Sequence, residues 1–300
     1  MKVLVLKGGV SAEREVSLIS GANVAEALEK AGFEVRQYDI RKLEITEDMK
    51  WADVVYPVLH GGFGEDGRLQ KMLEDANIPF VGCSSKACEI AMDKIESKKV
   101  MDQIGIGNAR YAVITDANEP VPAHLQLPLI VKPNREGSTF GLTLVEKPED
   151  WSNALTKALT YDDKVLVEEY IQGIESTVGV LLGKPLPLVE IHCPGKLYDY
   201  DAKYTHAAGE TQYLCPPQHI PEHLQQKAQE AAIAFAREIH AETLLRVDVI
   251  IRLSDEKIFV LEGNALPGCT ESSLLPKAAA VAGIDFVSLC SGLVRHAQNK

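Results

Sequence analysis

MKVLVLKGGVSAEREVSLISGANVAEALEKAGFEVRQYDI, residues 1–40, reads as strand, glycine turn, helix and strand in succession. Residues 3–6 form a short apolar run, Gly8 and Gly9 break it, and the segment that follows carries Val16, Ile19, Ala27, Leu28 and Ala31 on one side before Gly32 stops it. Residues 35–38 supply a second strand. The pattern continues with a buried strand over residues 54–59, a helix over 69–74 and a strand at Phe80 and Val81. Alternating β and α over this length predicts a parallel sheet with helices on both faces.

Beyond it the grammar changes. A helical stretch runs from Ser84 through Val100, and short strands follow at 108–115, 129–131, 142–145 and 165–167, with a helix after Pro148. Strands separated by hairpin-sized gaps predict an α+β module. From about Glu175 longer strands dominate, at 176–182, 186–191, 245–253 and 257–261, with helices at 221–240, 274–282 and 286–296. Between Cys193 and Pro217 lies a polar stretch with Tyr198, Tyr200, Tyr204 and Tyr213 and no apolar period. A long irregular segment in a compact domain reads as a functional lid. The chain thus reads as α/β and α+β, divided at 1–93, 94–174 and 175–300.

Composition narrows the function classes. Of 300 residues, 46% are hydrophobic and 25% charged, the balance of a folded globular chain. Thirty-one basic residues face 43 acidic ones, a net charge of −12 that argues against nucleic acid as a partner. An anionic ligand such as a nucleotide would need local cations or a metal to overcome that field. The six cysteines are scattered, with no C-x-x-C pair, and read as reduced thiols of a cytoplasmic chain. The opening MKVLVLKGG has too short an apolar run for a signal peptide or a membrane anchor, so no membrane partner is expected.

Four constellations carry candidate chemistry. Period two places Arg246 with Asp248 on one face of a strand, and Glu262 with Asn264 on one face of the next. Two acids and an amide suit Mg²⁺ or Mn²⁺ shared with phosphate oxygens, although an Arg–carboxylate bridge on a polar face uses the same residues. Lys132-Pro133-Asn134-Arg135-Glu136-Gly137-Ser138-Thr139-Phe140-Gly141 leaves an apolar strand with a lysine and a Gly/Ser loop, able to offer an ammonium and backbone N–H groups to phosphate, or simply to turn the chain. Gly8-Gly9-Val10-Ser11-Ala12-Glu13 lacks dinucleotide spacing, and Glu13 stands where an anion would sit. Glu13 therefore reads either as a carboxylate for a substrate ammonium or as a helix-dipole partner with Ser11 as N-cap. His60, followed by Gly61, Gly62, Gly64 and Gly67 after a buried strand, is placed for a ligand or for a tight turn. His219 and His223 have metal spacing, but Pro221 intervenes and no third ligand is near, so they read as surface residues.

These motifs, with Met92-Asp93-Lys94, Tyr198-Asp199-Tyr200 and Ala202-Lys203-Tyr204, follow the order found in D-alanine–D-alanine ligases, and the chain resembles that family from end to end. The resemblance implies a three-domain ATP-grasp architecture whose first domain is the parallel α/β unit. It implies ATP between the second and third domains, with Lys94, Lys132 and Lys203 on the phosphates, Glu168 and the backbone of Glu169, Tyr170 and Ile171 on adenine, and Glu175 on the ribose. Asp248, Glu262 and Asn264 would hold two Mg²⁺ (or Mn²⁺). Two D-alanine molecules would be the substrates: Glu13, held by Ser138 and Tyr204, for the first ammonium, His60 beside it, and Ser273 with the Leu274 N–H for the second carboxylate. Arg246 and the Gly268 N–H would stabilise the oxyanion. The family is usually homodimeric and acts in peptidoglycan synthesis. The Lys203–Tyr204 pair favours a dipeptide over a D-lactate product. Ala265, where the family commonly has Thr, and Cys269 depart from its pattern. The competing readings are another ATP-grasp carboxylate–amine ligase and a non-catalytic nucleotide-binding protein.

Overall fold

The VLVL run becomes the middle strand of a parallel sheet in the computed structural model, which describes residues 1–193 and 211–299. The sheet has the order β2 (Glu34–Ile40), β1 (Lys2–Gly8), β3 (Val54–Pro57). Val3, Leu4, Val5 and Leu6 are all fully buried, because helices cover both faces. Val3, Val5, Val54 and Tyr56 meet α1 (Arg14–Lys30) and α9 (Phe286–Gln298). Leu4, Leu6 and Val55 meet Met49 of α2 (Glu47–Trp51) and Leu69 and Leu73 of α3 (Arg68–Asp75).

Three local expectations are corrected here. α1 buries Ser17, Ser20, Gly21, Val24, Ala25, Ala27 and Leu28, whereas Ile19 is 59% exposed. Its first half closes on β1 through small residues: a Cβ at Gly21 would stand 2.6 Å from that of Lys7, and Ser17 Oγ accepts from the Gly8 N–H at 2.8 Å. The expected strand at Phe80 and Val81 is a single bridge to Val55, since Pro79 offers no N–H and Gly82, at φ 119°, turns the chain away. The expected helix from Ser84 to Val100 is two, α4 (Ser85–Met92) and α5 (Lys94–Gln103), because Asp93 is extended and its carboxylate caps the Glu96 N–H at 3.0 Å.

The second sheet is antiparallel, β4 (Tyr111–Ile114), β7 (Val165–Glu169), β5 (Leu129–Pro133), β6 (Thr143–Val145), with α6 (Trp151–Leu159) packed on one face. The third runs β11 (Gln212–Leu214), β10 (Val189–His192), β8 (Ile174–Leu181), β12 (Leu244–Arg252), β13 (Lys257–Asn264), and β9 (Lys184–Pro185) folds back on β8. The strand expected over 186–191 begins only at Val189, and the pairing before it is made by β9, outside the expected range. Leu182 at φ 50° and Gly183 at φ 76° make the tight hairpin that returns β9 to β8. One face of this sheet packs on α4, α5 and α7 (Glu222–Glu238); the other reaches α8 (Leu274–Val281), which joins it to the core of the first sheet. Among the described residues no single helix is long and apolar enough to cross a membrane.

Candidate active site

The cleft between the second and third sheets is organised by three buried charges. Glu168 lies on β7, opposite Ile130, and its carboxylate receives Lys132 at 2.5 Å and Lys98 at 2.6 Å. Lys98 has no exposed side-chain surface, and its ammonium also donates to Asn108 Oδ1 at 3.1 Å and to the Ala109 carbonyl at 3.0 Å. Burial alone would raise the pKa of Glu168, but the flanking lysines reverse this and hold it at about 2. Lys94, Lys132, Glu168, Glu169, Tyr170, Ile171 and Glu175 all line this cleft, over an apolar floor that includes Ile130, Leu142, Ile250 and Leu261. Six of those seven were expected as charged or backbone contacts to a nucleotide, with Glu175 as the ribose contact, and the structure brings all seven together. Lys203, expected to join them, lies outside the described residues.

Lys94 connects this cleft to the next. It donates to the Glu136 carbonyl at 2.7 Å and stands 3.3 Å from Glu262 Oε2. Glu262 pairs directly with Asp248 across β13 and β12, and Asn264 pairs with Arg246. The four polar side chains share the face that period two assigned, while Val247, Val249 and Val260 are fully buried behind them. Both oxygens of Asp248 accept from Arg246 at 2.8 Å, and Asn264 Nδ2 donates to one of them at 3.2 Å. The Arg–carboxylate bridge and the oxygen cluster are thus the same residues. Two carboxylates and an amide within reach of one another are a hard-oxygen donor set that fits Mg²⁺ or Mn²⁺ once Arg246 releases an oxygen of Asp248 and Asn264 presents its Oδ1.

The second cleft, about 610 Å³ in volume, joins loop residues to the polar face of β12 and β13 and includes Glu13, His60, Ser138, Arg246, Glu262, Asn264, Gly268, Ser273 and Leu274. Glu13 stands at the N-cap position of α1, yet no side-chain cap hydrogen bond forms there. Its carboxylate instead accepts from Ser138 Oγ, 125 residues away in the chain. Ser11 Oγ accepts from the Glu13 N–H at 3.2 Å and donates to the His60 carbonyl at 2.5 Å. His60 is buried, and its Nε2 has no hydrogen-bond partner among the described residues. Ser138 is held at φ 48° and Thr139 at φ 67°, left-handed backbone that non-glycine residues adopt at a cost, as functional loops often do. Ser273 precedes α8, and a Cβ on Gly268 would fall 3.1 Å from its Oγ, so the bare glycine lets the two approach. Ala265 and Cys269 are buried beside this loop. Tyr204 and the stretch 198–204 lie outside the described residues.

Several participants were not foreseen. Lys98 sits one turn after Lys94 on α5, and that i, i+4 lysine pair was the available signal. Tyr213 and Lys277 line the second cleft, with the Lys277 ammonium 5.4 Å from the Tyr213 ring centre. His219 is on the surface as expected, but the statement that no third ligand is near fails: Glu190 and His192 surround it.

Two antiparallel sheets gripping a cleft with buried lysines, beside an acid–amide cluster on paired strands, define an ATP-grasp enzyme. Models of the N-terminal and C-terminal parts of D-ala D-ala ligases match residues 37–83 and 100–295. A D-alanine–D-alanine ligase of Syntrophotalea carbinolica is 41% identical over 99% of this chain and 96% of its own, and one of Geobacter sulfurreducens 38% over 100% and 95%. Among solved structures, a D-alanine–D-alanine ligase of Bacillus anthracis complexed with ATP superposes with a TM-score of 0.86 at 29% identity, covering 100% of this chain and 97% of its own. A VanG D-Ala:D-Ser ligase of Enterococcus faecalis gives 0.86 at 29% identity, over 99% of each. The chain belongs to the D-alanine–D-alanine ligase family.

Proposed function

We propose that this chain joins two D-alanine molecules at the expense of ATP, in the synthesis of a peptidoglycan precursor. The observation that carries the reading is the second cleft, which Glu13 and Ser138, joined by a hydrogen bond, line together with Arg246, Gly268 and Ser273. Such a cleft has a carboxylate for an ammonium, a guanidinium for developing negative charge and a helix N-terminus for a carboxylate.

Lys94 and Lys132, with Lys203, bind the phosphates of ATP. Glu168 and the 169–171 backbone take adenine, and Glu175 the ribose. Asp248, Glu262 and Asn264 would hold two Mg²⁺ or Mn²⁺, which neutralise charge on the triphosphate. Glu13, oriented by Ser138 and Tyr204 with His60 beside it, fixes the first D-alanine by its ammonium. The carboxylate oxygen of that D-alanine attacks the γ-phosphorus, ADP leaves, and a D-alanyl phosphate forms. A free carboxylate repels nucleophiles, and the mixed anhydride removes that obstacle. Ser273 and the Leu274 N–H hold the second D-alanine, whose amine attacks the acyl carbon. Arg246 and the Gly268 N–H stabilise the oxyanion, phosphate departs, and the amine loses its proton to leave the dipeptide. Each oxyanion donor is worth about 2.7–4 kcal/mol. The reading includes a homodimer in the cytoplasm.

The D-Ala:D-Ser relative shares this frame, so identity of the second substrate rests on the loops that shape its subsite. The deciding experiment measures phosphate release from ATP and Mg²⁺ with and without D-alanine, then identifies the product formed from mixed D-alanine, D-serine and D-lactate. D-alanine-dependent release and D-alanyl-D-alanine are expected. Release independent of D-alanine, or a mixed product, would overturn the proposal.

A further inference from the structure

On the other face of the third sheet lies a cluster that the ligation chemistry does not use. Glu190 of β10 is fully buried, yet its carboxylate is the meeting point of two imidazoles. One oxygen, Oε1, accepts from His192 Nε2 and from His219 Nδ1 at 2.7 Å. The other, Oε2, accepts from the backbone N–H groups of Gln218 at 2.8 Å and His219 at 2.9 Å. The rings stand edge to face with centres 4.8 Å apart, and one donor atom from each of the three residues lies within 4.8 Å of the others.

Strand register separates this cluster from the active-site acids. Glu190 pairs with Ser176, and Ser176 with Val249, so these three point to one face, while Asp248, the neighbour of Val249, points to the other. Ser176, directly opposite Glu190, is fully buried, and its Oγ has no hydrogen-bond partner among the described residues.

We propose that Glu190, His192 and His219 form a binding site for a transition-metal dication, Zn²⁺ in type. Two imidazoles and one carboxylate are a recurrent three-ligand set for zinc, with bonds of about 2.0–2.2 Å and a fourth position left to water. The side chains of His192 and His219 are 41% and 57% exposed, which supplies both the entry path and the open position. The backbone N–H groups on Oε2 fix the carboxylate in the way that hydrogen bonds orient metal ligands elsewhere. Binding replaces the two ring protons now directed at Oε1 by one cation, releasing any proton in excess of the neutral imidazoles. Mg²⁺, which prefers oxygen ligands, would be a poor occupant.

The test uses the full chain stripped with chelator and held in saturating Mg²⁺ without nucleotide, so that the acid cluster on β12 and β13 is masked. Calorimetry with Zn²⁺ should find one Mg²⁺-resistant equivalent, Co²⁺ should give a visible d–d band of tetrahedral strength, and Zn²⁺ should raise the melting temperature. His192→Asn and His219→Asn, singly and together, change exposed side chains and should each abolish all three signals, whereas Asp248→Asn with Glu262→Gln should leave them intact. Absence of Mg²⁺-resistant binding in the unaltered chain overturns the proposal, as does binding that survives the paired histidine substitution. Loss of ligase activity with the zinc signals intact would count against the proposed reaction and leave this site standing.

Discussion

The two clefts are built in opposite ways. In the nucleotide cleft the charged groups stand on regular elements and are already paired with one another: Lys98 of α5 meets Glu168 of β7, which meets Lys132 of β5, a buried chain of contacts backed by the register of β5 and β7. In the amino-acid cleft, Glu13 comes from the start of α1, Ser138 from a left-handed loop, and Gly268 and Ser273 from the turn before α8. Ladder hydrogen bonds keep the first arrangement in place without a ligand. The second depends on loops that can be altered one at a time without disturbing a sheet. The first cleft therefore couples binding to folding, and the second couples binding to specificity.

Removing the centre of the buried triad should have the largest effect. Glu168→Ala leaves two ammonium groups buried without their anion, and loss of one partner of a buried pair costs about 3–5 kcal/mol. Urea denaturation should show that loss, and Lys98→Met in the same chain should restore part of it. A loss below about 1 kcal/mol, well under the range for a broken buried pair, would put both clefts in the same mechanical class. Acid titration offers a second reading. Glu168 has its pKa lowered from 4.5 to about 2, so its contribution is complete above pH 4.5 and fades as pH falls toward 2. Glu168→Gln should flatten that part of the stability curve.

A change in the other cleft should separate binding from folding. Glu13→Gln removes a charge-assisted hydrogen bond to the substrate ammonium, worth about 1.5–3 kcal/mol. That predicts a rise of roughly 10- to 150-fold in the KM of the first D-alanine. ATP affinity and urea midpoint should hardly move. Steady-state kinetics beside nucleotide titration decides: an equal loss of ATP affinity would mean that the clefts are not independent.

The same contrast explains what could be read from the sequence alone. VLVL before Gly8 and Gly9 announced β1 and its turn, and alternation alone put Asp248, Glu262, Asn264 and Arg246 on one face, because period two is a property of the strand itself. The buried lysines of α5 were hidden. It reads KIESKKVMDQ, with Lys94, Lys98 and Lys99 on a polar helix, and only tertiary contacts decide that Lys94 and Lys98 are enclosed while Lys99 is not. Ile19 looked like core and is exposed, since Ser17 and Gly21 give the closer fit to β1. The partners of Glu190 sit two and 29 positions along the chain, and only the second needs tertiary structure to be found.

The smallest effect tests whether loop strain or hydrogen bonding is what the amino-acid cleft needs. Ser138 both occupies left-handed backbone at φ 48° and donates to Glu13. Ser138→Ala keeps the strain and removes the hydroxyl; Ser138→Gly removes both. If the hydroxyl is what orients Glu13, the two variants should lose the same modest factor in kcat/KM for D-alanine, about 2- to 12-fold for one hydrogen bond of 0.5–1.5 kcal/mol. Glycine carries no Cβ penalty in this region, so the glycine variant should be more stable than the alanine variant by about 1 kcal/mol. A glycine variant much slower than the alanine one would mean that the rigid left-handed turn itself holds the loop in place. The amino-acid cleft would then be preorganised like its neighbour, by backbone strain where the nucleotide cleft uses buried charge.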